Sequence, residues 1–282
     1  PLYRQMLRYR RLGYEVPDST LGDWVKSCAL LLEPIVNTMR EDLLLAKKIH
    51  TDDTPVPVLA KGKTRNGRLW VYLADKSHTQ PICLYDYTPT RSNRGPKKYL
   101  NEYHGYLQAD AYNGYDCLYE TENIIEVGCM AHARRKFVDV AKAAKGASYA
   151  GDIIDVIAKL YAIEKQAKHF TTDERYYYRK KHSKPVLKKL HRMVKQHHKA
   201  ATPNTPFYKA LQYTMNHWKA LGRYLADGDL SIDNNSAERA IRPLVIGRKN
   251  YLFAGSDEGG KRAAIIYSII ETCKMNGINA FE

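Results

Sequence analysis

Glu238 stands in the stretch Asp233-Asn234-Asn235-Ser236-Ala237-Glu238-Arg239-Ala240-Ile241-Arg242-Pro243, and Arg248 and Lys249 follow shortly after, so one carboxylate is set among four cations. Asn and Ser ahead of Ala237 and Ile241 at helical spacing predict a helix N-terminus, which Pro243 then ends or kinks. Glu238 falls in the first turn, where the helix dipole favours a carboxylate and the neighbouring cations suit phosphate. Asn235 and Glu238 also have the spacing of a capping box, a purely structural use of the same acid. Asp52 and Asp110 lie near the middle of two predicted strands. Two strand aspartates and one helix glutamate supply what phosphodiester chemistry at divalent metal requires. Three gathered carboxylates repel one another until a cation relieves them. Hard oxygen donors then leave room for water and phosphate oxygens on one or two Mg²⁺ ions.

The elements that must position these acids follow from periodicity. Asp18-Ser19-Thr20 caps an amphipathic run through Leu21, Trp24, Cys28, Leu32, Val36, Met39 and Leu43, predicting one long helix or two divided at Pro34. Residues Val16 to Trp24 fit the end of a helix-turn-helix or, equally, a connecting or dimerising helix. From Lys48 the period becomes two: strands are expected over Ile49–Leu59, Arg68–Ala74, Pro81–Tyr87, Tyr106–Tyr112 and Asn123–Gly128, with Asn66-Gly67 as the hairpin signal. Short helices are expected over Pro96–Tyr103 and from Ala131. Alternation sends Asp52 and Asp53 to opposite faces, so only one enters a given site. Asp86, Asp116 and Asp233 fit solvent-facing or turn-capping positions. The fold class is α/β, a mixed five-stranded sheet flanked by helices. From Val138 to about Leu230 only helical spacing remains. There, Lys165 to Lys199 holds twelve Lys or Arg against Asp173 and Glu174, a solvated face or a nucleic-acid contact.

A formal charge of +15, from 45 Lys and Arg against 30 Asp and Glu, points to a polyanionic partner, nucleic acid before membrane. No apolar run reaches roughly eighteen residues and no signal segment opens the chain, so no membrane partner and a cytoplasmic location are expected. The five cysteines are scattered and suit core thiols rather than a disulfide framework. Cys129 and His132 make half of a zinc pattern without a second pair, and Gly255 to Lys261 lacks the register of a P-loop. His197 and His198 are expected to be solvated. A chain that opens on Pro1 and stops soon after an apolar run reads as a fragment of a longer product.

Five stretches carry a resemblance. They are His50-Thr51-Asp52-Asp53-Thr54-Pro55-Val56, Gly105 to Tyr115, Cys129 to Phe137, Asp233 to Pro243, and Gly247 to Ser256. In order, spacing and wording they resemble the transposases of the insertion sequence 66 family, over nearly the whole chain. Asp53 and Met130 depart from the family's usual Glu and Trp. The resemblance implies a ribonuclease-H-like catalytic domain interrupted by an all-helical insertion, with Asp52, Asp110 and Glu238 as a metal triad for two Mg²⁺ or Mn²⁺ ions. It implies residues 48–140 and 230–282 as the two parts of that domain, 141–229 as the basic insertion, and 1–47 as a helical linker or DNA-binding remnant. The implied activity is hydrolysis at the end of an insertion element followed by strand transfer. Double-stranded DNA, at the element ends and the target, is the implied partner of a nucleoid-associated homo-oligomer. His132, Arg134, Arg135, Lys136, Arg239, Arg242, Arg248 and Lys249 are expected to contact its phosphates. A DNA-binding relic without activity, or a nuclease that cleaves without joining, would share these features.

Overall fold

The structure is a computed structural model that describes residues 2–75, 78–120, 122–144 and 149–281. In chain order come α1 (Leu2–Arg11), α2 (Asp18–Leu44), β1 (Lys48–Ala60), β2 (Lys63–Ala74), β3 (Ile82–Thr88), α3 (Arg94–Tyr99), β4 (Gly105–Gln108), α4 (Asp116–Tyr119) and β5 (Ile124–Val127). They are followed by α5 (Met130–Ala143), α6 (Tyr149–Gln166), α7 (Thr172–Ala200), α8 (Pro206–Asn216), α9 (Trp218–Gly222), α10 (Asn235–Tyr251) and α11 (Asp257–Met275). The fold is α/β, and its five-stranded mixed sheet has the order β3-β2-β1-β4-β5. Among the described residues no helix is long and apolar enough to cross a membrane.

The chain divides into two compact units. The first comprises Pro1–Gly105, Asn113–Ile124 and Ser236–Glu282; the second comprises Tyr106–Tyr112 and Ile125–Asn235.

In the first unit β1, β2 and β3 pair antiparallel, with His50 opposite Leu73 and Tyr85 opposite Val71. One face of this meander carries Val56, Val58, Leu69, Val71, Leu73 and Tyr85 into a core closed by Ala237, Ile241 and Leu244 of α10 and Ala264 of α11. The other face buries Trp70 edge-on to Tyr115 and stacks Tyr72 on Tyr99 at 4.0 Å. α11 also seals the β3 edge. Its Ser268 and Thr272 hydroxyls accept from the Tyr85 and Cys83 amides, so the outermost strand offers fewer open donors to another chain.

One turn expectation needs correction, and the alternatives at Pro34 resolve to a single helix. The β1–β2 hairpin turns at Lys61-Gly62, where Gly62 takes a left-handed φ of 73°, and Asn66-Gly67 lies inside β2 opposite Pro57 and Val56. Gly67 serves close approach instead, because a Cβ there would lie 2.7 Å from the Tyr87 ring. α2 runs unbroken through Pro34, and its Leu21, Ala29, Val36 and Leu43 are buried in packing that involves α11 and β3. Those four buried side chains anchor α2 to this unit, while Trp24, Leu30, Leu31 and Ile35 are exposed.

The second unit is a helical assembly on one apolar core. Phe137 of α5, Ile153, Ile157 and Leu160 of α6, Leu187, Leu190 and Val194 of α7, and Leu211 of α8 meet there. α7 starts in a full capping box: Thr171 Oγ1 accepts from the Glu174 amide, and Glu174 accepts from the Thr171 amide at 2.8 Å. Those bonds hold the Glu174 carboxyl below its usual range. His197 and His198, expected to be solvated, are half-buried instead. His197 lies against Tyr149, and His198 meets Gln212 at 2.7 Å and stacks on Tyr208.

Candidate active site

The two aspartates on β1 have separate environments because their side chains alternate across the strand. Asp53 is consumed structurally. Its carboxylate accepts from Arg68 Nη1 at 2.9 Å and from Arg91 Nε and Nη2 at 3.0 and 2.7 Å, and its side chain is 1% exposed. Asp52 turns to the opposite face, the one that also carries Val56 and Val58, and accepts from the Asp53 amide at 2.8 Å.

That face is covered by the helix bearing Glu238. Asp52, Val71 and Tyr85 form one row across the three strands, and the Tyr85 hydroxyl donates to the carbonyl of Ala240 on α10 at 2.6 Å. Asp52 thus shares its row with a residue tied two positions beyond Glu238. Farther along α10, Arg248 Nη1 donates to Thr54 Oγ1 at 3.2 Å and to the Pro55 carbonyl, clamping the helix along β1. Pro243 does not end the helix, which continues to Tyr251. Glu238, Arg242, Val245 and Lys249 therefore descend one flank of a single element, at i, i+4, i+7 and i+11. Arg242 and Lys249 are exposed there. Arg239 is exposed on another side, where it donates to Ser236 Oγ at 3.1 Å.

Asp110 belongs to the second unit and lies just beyond the end of β4, not within a strand. The strand stops early because Asp110 Oδ1 accepts from the Tyr112 amide at 3.2 Å, an Asx turn that competes with continued pairing. Glu126, Tyr213 and His217 line a small recess beside it.

The loop leading to Glu238 is held within the second unit by groups that, apart from Asp233, sequence reading gave no part in it. Gln108 Nε2 donates to the Ser231 carbonyl at 2.7 Å, the Met130 amide to Ile232, and the Asn234 amide to Cys129 Sγ at 3.2 Å. Asp233 accepts from the Tyr161 hydroxyl at 2.9 Å and from the Asn235 amide and side chain. Burial pushes the Cys129 thiol up to about 11, which keeps it a protonated packing group. The available signal was positional: Gln108 and Cys129 lie within two of the motif stretches, and a turn-capping role for Asp233 was expected.

On α5, Arg134 and Arg135 join Lys142, Tyr161 and Asn235 around an open groove of about 670 Å³. Lys136 lies 4.4 Å over the Tyr213 ring, and His132 is half-buried. Among the described residues no three His, Cys, Asp or Glu side chains are gathered as a metal group. In donor type, three half-buried carboxylates match a hard divalent cation and offer nothing to a thiolate-seeking one.

A family model described as "Transposase IS66 family" matches residues 1–262. Among curated proteins, the "Uncharacterized protein y4hP" of Sinorhizobium fredii (strain NBRC 101917 / NGR234) is 32% identical over 298 residues, covering 99% of this chain and 54% of its own length. "Uncharacterized protein y4jD" and "Uncharacterized protein y4qI" of the same strain are 30% and 32% identical, covering all of this chain and 57% and 54% of their own lengths. The chain spans about half the length of the curated relatives it matches.

Proposed function

Because the chain belongs to the Transposase IS66 family, we propose that it carries the catalytic region of a DNA transposase of ribonuclease-H-like fold, with Asp52, Asp110 and Glu238 as its acidic triad. The proposed catalytic domain comprises residues 48–140 and 230–282, and 141–229 is its basic insertion. The observation that supports the reading is the row Asp52, Val71, Tyr85 beneath the helix bearing Glu238, two facing elements of one unit. Asp110 is the third, presented on a turn rather than a strand.

When bound, two Mg²⁺ or Mn²⁺ ions would polarise the scissile phosphate and lower the pKa of the attacking oxygen. The residues of the chain do the rest. Asp52 and Glu238 would supply oxygen donors on elements tied together by Tyr85 and Arg248. Arg242 and Lys249 extend a cationic line down the Glu238 flank for the DNA backbone, and Arg134 and Arg135 offer a second contact in the α5 groove. Arg248 is occupied with β1 and is assigned a positioning role.

The test is Asp110→Asn, assayed on supercoiled DNA carrying the element ends in Mg²⁺. Cleavage is expected to fall at least about a hundredfold, while circular dichroism and DNA affinity stay near wild type. Wild-type cleavage by this variant would overturn the triad. Cleavage by the unaltered chain without joined products would assign a nuclease instead.

A further inference from the structure

Within the second unit, α7 presents two opposed faces. Arg179, Ser183, Leu187, Leu190 and Val194 are buried on one. On the other, Lys181, Lys184, Lys188, Arg192, Lys195 and Lys199 succeed each other at steps of three or four residues, and all six are exposed. At the α-helical rise they form one stripe about 27 Å long. None of the six makes an ion pair or side-chain hydrogen bond with another described residue, and α7 has no acid beyond Asp173 and Glu174 in its first turn. Lys180 lies off the stripe with its ammonium 5.0 Å from the Tyr176 ring centre, and Lys189 lies on the other flank.

We propose that this stripe is a track for the sugar-phosphate backbone of double-stranded DNA, gripped without regard to sequence. The proposal rests on the reading that the chain acts on DNA and adds a surface of the second unit that holds it. Charge complementarity identifies the occupant. About 27 Å of duplex axis carries roughly eight phosphates on each strand, at 3.4 Å of rise apiece, so an extended row of cations meets several of them. Five of the six cations are lysines, flexible point charges that need no fixed bidentate geometry. A protein partner would call for an apolar centre, and among the described residues of α7 the stripe side exposes only Tyr177 and Pro185 as apolar residues.

The experiment follows binding of a labelled duplex of arbitrary sequence by fluorescence anisotropy through a salt series. Two double variants that remove equal charge are compared: Lys184→Gln with Lys188→Gln on the stripe, and Lys180→Gln with Lys189→Gln off it. The stripe pair is expected to flatten the slope of log affinity against log salt by about 1.8, roughly 0.9 for each phosphate no longer neutralised. The off-stripe pair should leave the slope near wild type. Equal slopes for the two pairs would show a bulk-charge effect and overturn the track, while DNA binding itself stands. Competition by polyaspartate as effective as by unlabelled duplex would assign the face to acidic protein and also overturn it. Absence of duplex binding by the wild-type chain at low salt would remove the DNA reading and the track together.

Discussion

α7 and α10 are both basic helices, yet they use their cations in opposite ways. In α7 the arginines near the start go inward: Arg175 reaches the carbonyls of Ala167, Phe170 and Gly228, and Arg179 is 2% exposed with Glu164 on its fork. The lysines stay outside. In α10 the cations share a helix with a carboxylate, and Arg248 ties that helix to the strand that carries Asp52. The difference teaches that a count of basic residues mixes two populations. A planar guanidinium with five donors can be buried if carbonyls and a carboxylate surround it, whereas an ammonium stays hydrated at the surface.

Arg179→Ala breaks the comparison at its most demanding point. It would strand Glu164 and remove one donor from each of the Tyr224, Asp227 and Gly228 carbonyls, so a loss of about 3–5 kcal/mol is expected from urea unfolding. A loss near that of an exposed lysine would mean that α7 does not sort its cations by depth. Asp86 in the first unit is the counter-case, a charge buried without such a fork. Burial raises its pKa to about 6, opposed by the Tyr87 amide and then by the more distant Lys98, Arg40 and Lys261. The folded chain therefore keeps a proton that the unfolded chain has released, so stability falls as pH rises from about 4 to about 6 and stays reduced above. Asp86→Asn should stabilise the protein by up to ~3 kcal/mol at neutral pH and hardly at all near pH ~4. The same gain at both pH values would sink this account. Smallest is Arg248→Ala, expected to cost about 1–2 kcal/mol through its missing hydrogen bonds, against Lys249→Ala within about 0.5 kcal/mol. Equal effects from these neighbours, read from thermal midpoints, would show that Arg248 does not clamp the helix.

What was legible in the sequence was whatever depends on local period. The β1–β3 meander and the opposite orientations of Asp52 and Asp53 follow from alternation alone, and Asp53 finds its Arg68 and Arg91 partners on the face that alternation predicts. What was not legible depends on tertiary demand. Asn66-Gly67 has turn composition, but Tyr87 needs the missing side chain and Lys61-Gly62 takes the turn. Pro243 lies within a helix whose packing on the sheet outweighs the hydrogen bond that proline cannot donate. Asp110 looked like a strand residue because its apolar neighbours alternate, and only the Tyr112 amide bond reveals the turn. The relation of α10 to the Asp52 row needed the strand register, which composition does not contain.

The first unit is assembled from three separated lengths of chain, and α10 and α11 belong to the last of them. On the ribosome, the apolar side of the β1–β3 meander must wait while more than a hundred further residues are made, since Ala237, Ile241, Leu244 and Ala264 emerge only afterwards. A polypeptide abandoned midway therefore has Asp52 but no Glu238. Unfinished translation products would expose that apolar face, and Asp52 gains the helix that covers its row only in a chain translated into the last segment.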